Sequence, residues 1–187
     1  MVRQYGVHVG LVVSVLVNLL LIATRPQVPK VSAEAKQGIE QFARTVTQQL
    51  LDTSYISFKT STMALLEGEL DPHVVNNLRA QEMIAKTQDE LNATAKELTD
   101  HRQVSACKID EVIMGELNNK GLQPVEVKGV VAIHSAEETG PSGPVPFDFK
   151  FLIGAKAGPD GQPLMASDGK STIPMVAEFQ DASPKPQ

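Results

Sequence analysis

Cysteine occurs once in the 187 residues, at Cys107, so no intramolecular disulfide framework exists and the redox compartment is left open. The four histidines, His8, His73, His101 and His134, are scattered, and none stands at metal-ligand spacing with Cys107 or another histidine. The glycine-rich stretch Thr139-Gly140-Pro141-Ser142-Gly143 contains proline and does not lead from a strand into a helix, which rules out a phosphate cradle. No internal repeat is visible. The first thirty residues hold no Asp or Glu. They carry Arg3, Arg25 and Lys30, a charge of +3, so the remainder holds −8 of the net −5. An acidic domain is a poor partner for nucleic acid, whose phosphates need clustered Lys and Arg. Direct nucleic-acid binding is not expected, and no constellation resembling an active site, metal site or cofactor site emerges.

One absence is local and decisive. Gly6 to Thr24 (GVHVGLVVSVLVNLLLIAT) has no charged residue. As a helix it would rise roughly 28 Å, against a hydrocarbon core of about 30 Å. No small-x-small cleavage site follows closely and no cysteine ends the run, so the stretch reads as an uncleaved signal anchor rather than a signal peptide or lipoprotein leader. His8 lies near one end, within reach of the headgroups. Asn18 is deep. Its amide either bonds its own backbone or pairs with an amide on another transmembrane helix.

The expected organisation is a tail over 1–5, a transmembrane helix over 6–24, a linker over 25–31, an α+β domain over 32–180 and a flexible tail over 181–187. Pro26 and Pro29 keep the linker extended. Basic residues after the span (Arg25, Lys30, Lys36, Arg44) outnumber Arg3 before it, which counted alone favours a cytoplasmic domain. Large domains translocate with little regard to this count.

Within the domain, Ser32 caps a helix whose apolar face is Ile39, Phe42, Ala43, Val46 and Leu50. A second helical run carries Tyr55, Phe58, Met63, Leu65 and Leu66 and stops at Gly68. Asp71-Pro72 is a strong start signal for a third, expected to run to about Leu98 with Val74, Val75, Leu78, Ile84, Leu91, Ala95 and Leu98 inward. After Gln103 the period changes. Val104–Met114 is strand-like with imperfect alternation, and Asn118–Gly121 is a turn. Val125, Val127, Val131 and Ile133 share one strand face, with Gly129 in the same row marking a bulge or a close approach. Phe147, Phe149, Phe151, Ile153 and Ala155 alternate with Asp148, Lys150 and Leu152, the clearest strand in the chain. Shorter strands are expected at Leu164–Ala166 and Thr172–Phe179. Helices followed by antiparallel strands define an α+β fold with helices packed on one sheet face. Cys107 reads as a small hydrophobe of the sheet, His101, His134, Asp110 and Asp148 as surface positions, and the sequon Asn92-Ala93-Thr94 falls in a helix.

The chain resembles the TraE family of conjugative-transfer inner-membrane proteins, relatives of the VirB-eight-type subunits of type IV secretion systems. The likeness lies in Val17-Asn18-Leu19-Leu20-Leu21, the helical pair leading into Leu65-Leu66-Glu67-Gly68-Glu69-Leu70-Asp71-Pro72, the strand Val125–Val131, and Pro146–Ile153 with its following turn. The resemblance covers about residues 10–160. The Asn-Pro-x-Gly motif of the VirB-eight branch is missing. The resemblance implies a cytoplasmic N-terminus, a periplasmic domain and a nuclear-transport-factor-two-like cone, a curved antiparallel sheet wrapped by helices. It also implies a non-enzymatic, self-associating scaffold that joins other secretion-channel subunits at the inner membrane. Two other classes compete. One is a pilus-alignment-type bitopic protein with a ferredoxin-like sheet. The other is a membrane-tethered enzyme on the cone, for which Tyr55 and Asp148 are the candidates.

Asn18 supplies a test of the anchor. If it pairs across helices, Asn18→Leu should weaken self-association of the isolated span in a membrane reporter assay by about 0.6–2 kcal/mol per contact, leaving insertion intact. Equal association of the Leu variant would show the amide to be satisfied within its own helix.

Overall fold

Serine, aspartate and threonine start the helices. In a computed structural model that describes residues 32–136, 143–169 and 171–184, helix α1 (Ala33–Leu50) opens with Ser32 Oγ accepting the Ala35 N–H at 3.1 Å. Glu34 sits in its positive first turn. The span 6–24, with His8 and Asn18, lies outside these residues; among those described, no helix is long and apolar enough to cross a membrane. Helix α1 buries Ala43 and Val46 as its periodicity requires, and also Thr47, whose hydroxyl donates back to Ala43 O at 2.8 Å. Helix α2 (Phe58–Ala64) runs into a π-helical turn (Leu65–Glu69) in which Gly68, at φ +132°, breaks the helical path just before extended Leu70. Helix α3 (Pro72–Ala80) starts where expected: Asp71 Oδ1 accepts the His73 N–H at 2.8 Å and proline occupies the first position, where no donor is missed.

The single helix expected from Pro72 to about Leu98 is two. Chain reversal begins at Glu82, which takes φ +61° although it is not glycine. The Met83 N–H then reaches back to Leu78 O at 2.9 Å and the Glu82 N–H to Arg79 O at 3.2 Å, so the last carbonyls of α3 are satisfied by a Schellman closure. Helix α4 (Gln88–Asp100) restarts at Thr87, whose hydroxyl accepts the Glu90 N–H at 3.2 Å, while the Glu90 carboxylate accepts the Lys86 N–H at 2.6 Å. Thr87-Gln88-Asp89-Glu90 is thus a capping-box sequence inside an apolar periodicity that continues across it. Arg102, at φ +47°, closes α4 in the same way, with the Gln103 N–H on Leu98 O at 2.9 Å.

The four strands β1 (Val104–Met114), β2 (Gln123–His134), β3 (Val145–Ala155) and β4 (Pro174–Asp181) form an antiparallel meander in the order β1-β2-β3-β4. No helix crosses between them, which separates this topology from a ferredoxin-like sheet. A separate strand at Leu164–Ala166 does not form. The segment is tied by the single bridges Ala157↔Pro163 and Met165↔Thr172 and by backbone bonds such as Leu164 N–H to Lys156 O at 2.8 Å and Ile173 N–H to Leu164 O at 2.9 Å, and the last strand starts at Pro174.

One face of the sheet is core. Phe147, Phe149, Phe151 and Ile153 of β3 lie beside Val125, Val127 and Val131 of β2, with Phe149 and Phe151 each 2% exposed. Phe179 of β4 joins them, its ring centroid 5.2 Å from Phe149 and 5.5 Å from Phe151. Helix α1 packs across β1, β2 and β3, α3 packs on β4, and α4 covers α2. Leu78, Val46 and Leu65 close the same core.

Both edge strands break their alternation once. In β1 the half-buried residues are Ser105, Cys107 and Ile109, then Val112 and Met114, because Asp110 is an extra residue between Ile109↔Gly129 and Glu111↔Lys128. This bulge is the imperfection visible in the sequence. In β4 Ala177 plays the same part between Val176 and Glu178. Bulged edges resist pairing with a further strand. Across from the β1 bulge stands Gly129. A Cβ there would lie 2.1 Å from Lys108 O and 2.7 Å from Phe147 Cζ, so the ring covers the glycine and the neighbouring backbone closes over it. Gly129→Ala should therefore destabilise the domain by about 2–3 kcal/mol in urea melts, because the nearest clash is with backbone that cannot rotate away. A loss under about 0.5 kcal/mol would mean that β1 yields freely at the bulge.

Candidate functional site

The two sides of the sheet offer different chemistry. On the outer side, strand register sets Glu126 opposite Lys150 and Lys128 opposite Asp148. Lys128 Nζ lies 3.0 Å from Glu126 and 3.9 Å from Asp148, and Lys150 Nζ lies 3.7 Å from Glu126. The Lys128 hydrogen bond holds Glu126 below the usual carboxylate range, but water screens the ladder and it adds little to stability. Within it Lys128–Glu126 is at hydrogen-bond distance, the other two pairs are longer, and Asp148 Oδ1 is shielded without a partner. Beside it a shallow groove of about 470 Å³ runs over Ile113, Pro124 and Leu152, rimmed by Glu178 and Gln180.

On the helical side, a polar pocket of about 360 Å³ opens where the end of α1 meets the start of α2 and β1. Its fixed point is Asp52. Oδ1 accepts the Ser54 N–H at 2.9 Å and Oδ2 accepts the Ser61 hydroxyl at 2.5 Å. Burial pushes this carboxyl up, yet the bonds from Ser61, Ser54 and Ser57 outweigh it and hold Asp52 below its ordinary value. The loop is pinned to β1: the Ser105 N–H donates to Ser54 Oγ at 2.9 Å, the Thr53 N–H to Ser105 Oγ at 2.9 Å, and the Tyr55 N–H to Gln103 O at 2.8 Å. Gln49 and Cys107 complete the lining. Burial raises the Cys107 thiol, which makes it a weak nucleophile and fits the reading of a small core hydrophobe.

The residues singled out by sequence do not converge. Tyr55 is 39% exposed in the turn before α2, and Asp148 belongs to the ladder on the outer sheet face. His73 sits in the first turn of α3 within 3.3 Å of Asn77, His101 caps α4, and His134 is exposed at the end of β2. Among the described residues no three His, Cys, Asp or Glu side chains are placed to hold a metal. Asn18 lies outside the described residues. Nothing in the local sequence marks the pocket residues Asp52, Ser54, Ser57 and Ser61 as a site. Their partner Ser105 is 51 residues away from Ser54, and no local pattern announces that pairing.

No protein-family model matches the chain. No curated protein matches it by sequence. Its architecture, helices first and then a four-stranded meander, defines a class that solved structures do contain. A TraE protein in complex with 2-(2-furyl)isonicotinic acid aligns with a TM-score of 0.55 at 12% identity, over 83% of this chain and 100% of that one. A TraE protein in complex with 4-(1H-pyrrol-1-yl)pyridine-2-carboxylic acid aligns equally well at 11% identity, with the same coverage. The periplasmic domain of DotI aligns with a TM-score of 0.50 at 12% identity, over 83% of this chain and 99% of that one. The shared property is the fold, and it is the fold of TraE proteins.

Beside the pocket, Glu69 carries a half-buried carboxyl with Oε2 shielded and unpaired. Burial pushes it up, and only the Gln49 amide pulls it down. A carboxyl raised in the folded state destabilises the fold once pH rises through its folded value. Glu69→Gln should raise the unfolding free energy from urea melts at pH 8 by about 0.5–1 kcal/mol, allowing for the solvent that reaches the group. The gain should vanish below the ordinary glutamate value of 4.5.

Proposed function

We propose that the chain is a non-enzymatic, single-pass scaffold subunit of a type IV secretion or conjugative DNA transfer apparatus. In this reading residues 6–24 anchor it in the bacterial inner membrane and 32–180 form its periplasmic domain, a cone of the nuclear-transport-factor-two-like type. The observation that carries the reading is the fold shared with TraE proteins over their whole chains, together with an uncharged 19-residue stretch ahead of the domain. The DotI likeness, to a domain described as periplasmic, supports the same side of the membrane. A non-enzymatic role is supported by the separation of Tyr55 from Asp148. The subunit self-associates and joins other channel subunits, with Asn18 contributing within the membrane and the domain supplying most of the contact. A net charge of −8 beyond residue 30 argues against direct contact with the transferred DNA.

A reporter enzyme active only in the periplasm, fused after Gln187, should be active in cells, and two differently tagged full-length copies should co-purify from membranes. Activity of a cytoplasm-only reporter instead would overturn the topology and, with it, the scaffold role.

A further inference from the structure

Two oxygens shielded from water beside the π-helical turn have no donor. Glu69 is the last residue of that turn, and Gln49 lies in the last turn of α1. Their side chains are already joined by a hydrogen bond in which the Gln49 amide is the donor. The remaining oxygens, Glu69 Oε2 and Gln49 Oε1, are both shielded and without a partner among the described residues. A carboxylate and an amide oxygen only accept, so no rotation of these two groups satisfies Gln49 Oε1 while Glu69 is ionised. A single proton removes both orphans. Placed on Glu69 Oε2 it becomes a donor to Gln49 Oε1, and acid and amide close a two-point ring, N–H to oxygen one way and O–H to oxygen the other.

No neighbouring cation holds Glu69 in its charged form. The elements packed against the turn are α1, α2 and β4. On α1, Glu34 and Lys36 lie in its exposed first turns, Glu40 and Arg44 pair with each other at 2.9 Å, and Asp52 beyond its end is bonded by Ser61 and Ser54. Lys59 of α2 and Glu67 of the turn are exposed. On β4, Glu178 rims the outer groove and the Asp181 carboxylate accepts the Ser183 N–H. Asp71 caps α3. Lys156 sets its ammonium where a Cβ of residue 68 would stand, yet makes no ion pair with Glu69 among the described residues.

We propose that Glu69 is a proton-operated latch: as the neutral acid it closes the ring with Gln49 and ties the turn to α1, and as the carboxylate it lets the turn go. What the latch holds is an edge of the sheet. Directly after Glu69 the chain is laid along β4, where Leu70 bridges Val176 and the Asp71 N–H donates to Val176 O at 2.9 Å. Loss of the proton leaves acceptors facing one another under the turn, so the segment covering that edge opens more often. Burial raises the Glu69 carboxyl, which puts the change above the ordinary glutamate value of 4.5, with the latched state on the acid side. The latch belongs to the folded domain and does not rest on the scaffold reading.

Hydrogen-exchange mass spectrometry of the full-length protein in nanodiscs, followed on the peptide that contains Glu69–Asp71, tests this. After correction for the intrinsic pH dependence of exchange, protection should fall about threefold to tenfold, the worth of one hydrogen bond. The fall should follow a single midpoint above 4.5. Glu69→Gln cannot ionise and keeps a donor for Gln49 Oε1, so it should stay at the acid-side protection at every pH. Glu69→Met cannot ionise either but brings no donor, and should be about threefold to tenfold less protected than Glu69→Gln throughout. Parent protection that does not change with pH, a midpoint at or below 4.5, a fall that Glu69→Gln shares, or equal protection in Glu69→Gln and Glu69→Met overturns the proposal. The first three outcomes need only the parent and the conservative variant, so the test stands even where Glu69→Met fails to fold.

Discussion

Three phenylalanines spaced two residues apart on β3 must all be hidden on one side of a sheet, and the remaining elements are placed by that need. Phe147, Phe149 and Phe151 project to one face because strand side chains alternate. Each buries a large apolar surface, worth on the order of 2–3 kcal/mol. β2 contributes a valine row in register, β4 contributes Phe179, and α1 and α3 cover the result. The ring of Phe147 fills the space above Gly129, which is why a glycine stands in an otherwise valine-rich row and why the β1 backbone can close against it.

The same arrangement decides where polar chemistry is permitted. The outer sheet face holds a ladder of opposite charges. The inner face cannot be apolar at its rim, where the chain turns from α1 into α2 and must fix itself to the start of β1. Asp52 and Ser54 do this with side-chain bonds to Ser61 and Ser105. What begins as the fastening of a loop thereby creates a hydroxyl-lined pocket with a carboxylate at its base. Structure and site arise from the same hydrogen bonds.

The likeness to TraE proteins rests on architecture at an identity of 12%. At that distance what is shared is the fold. Nothing in the order of helices and strands demands serines at the pocket positions.

The sequence alone determined whatever depends on local periodicity and local capping. The β3 alternation, the Ser32 and Asp71-Pro72 helix starts, the stop at Gly68 and the uncharged stretch over 6–24 are all of this kind, because the forces involved act within a few residues. The bulge in β1 was visible only as irregular alternation, since which residue is extra depends on the strand it faces. The break at Glu82 left only a phase shift, Ile84 lying six residues after Leu78 and about 120° round a helix from it, and the seven-residue spacing of Ile84, Leu91 and Leu98 beyond it masked the short Thr87 to Glu90 cap that restarts the helix. Tertiary structure alone decided that Ser105 meets Ser54, that Asp52 lines a polar pocket, and that Tyr55 and Asp148 fall on different sides of the sheet. Those outcomes follow from long-range pairing, in which residues some fifty positions apart become neighbours only after the core has closed.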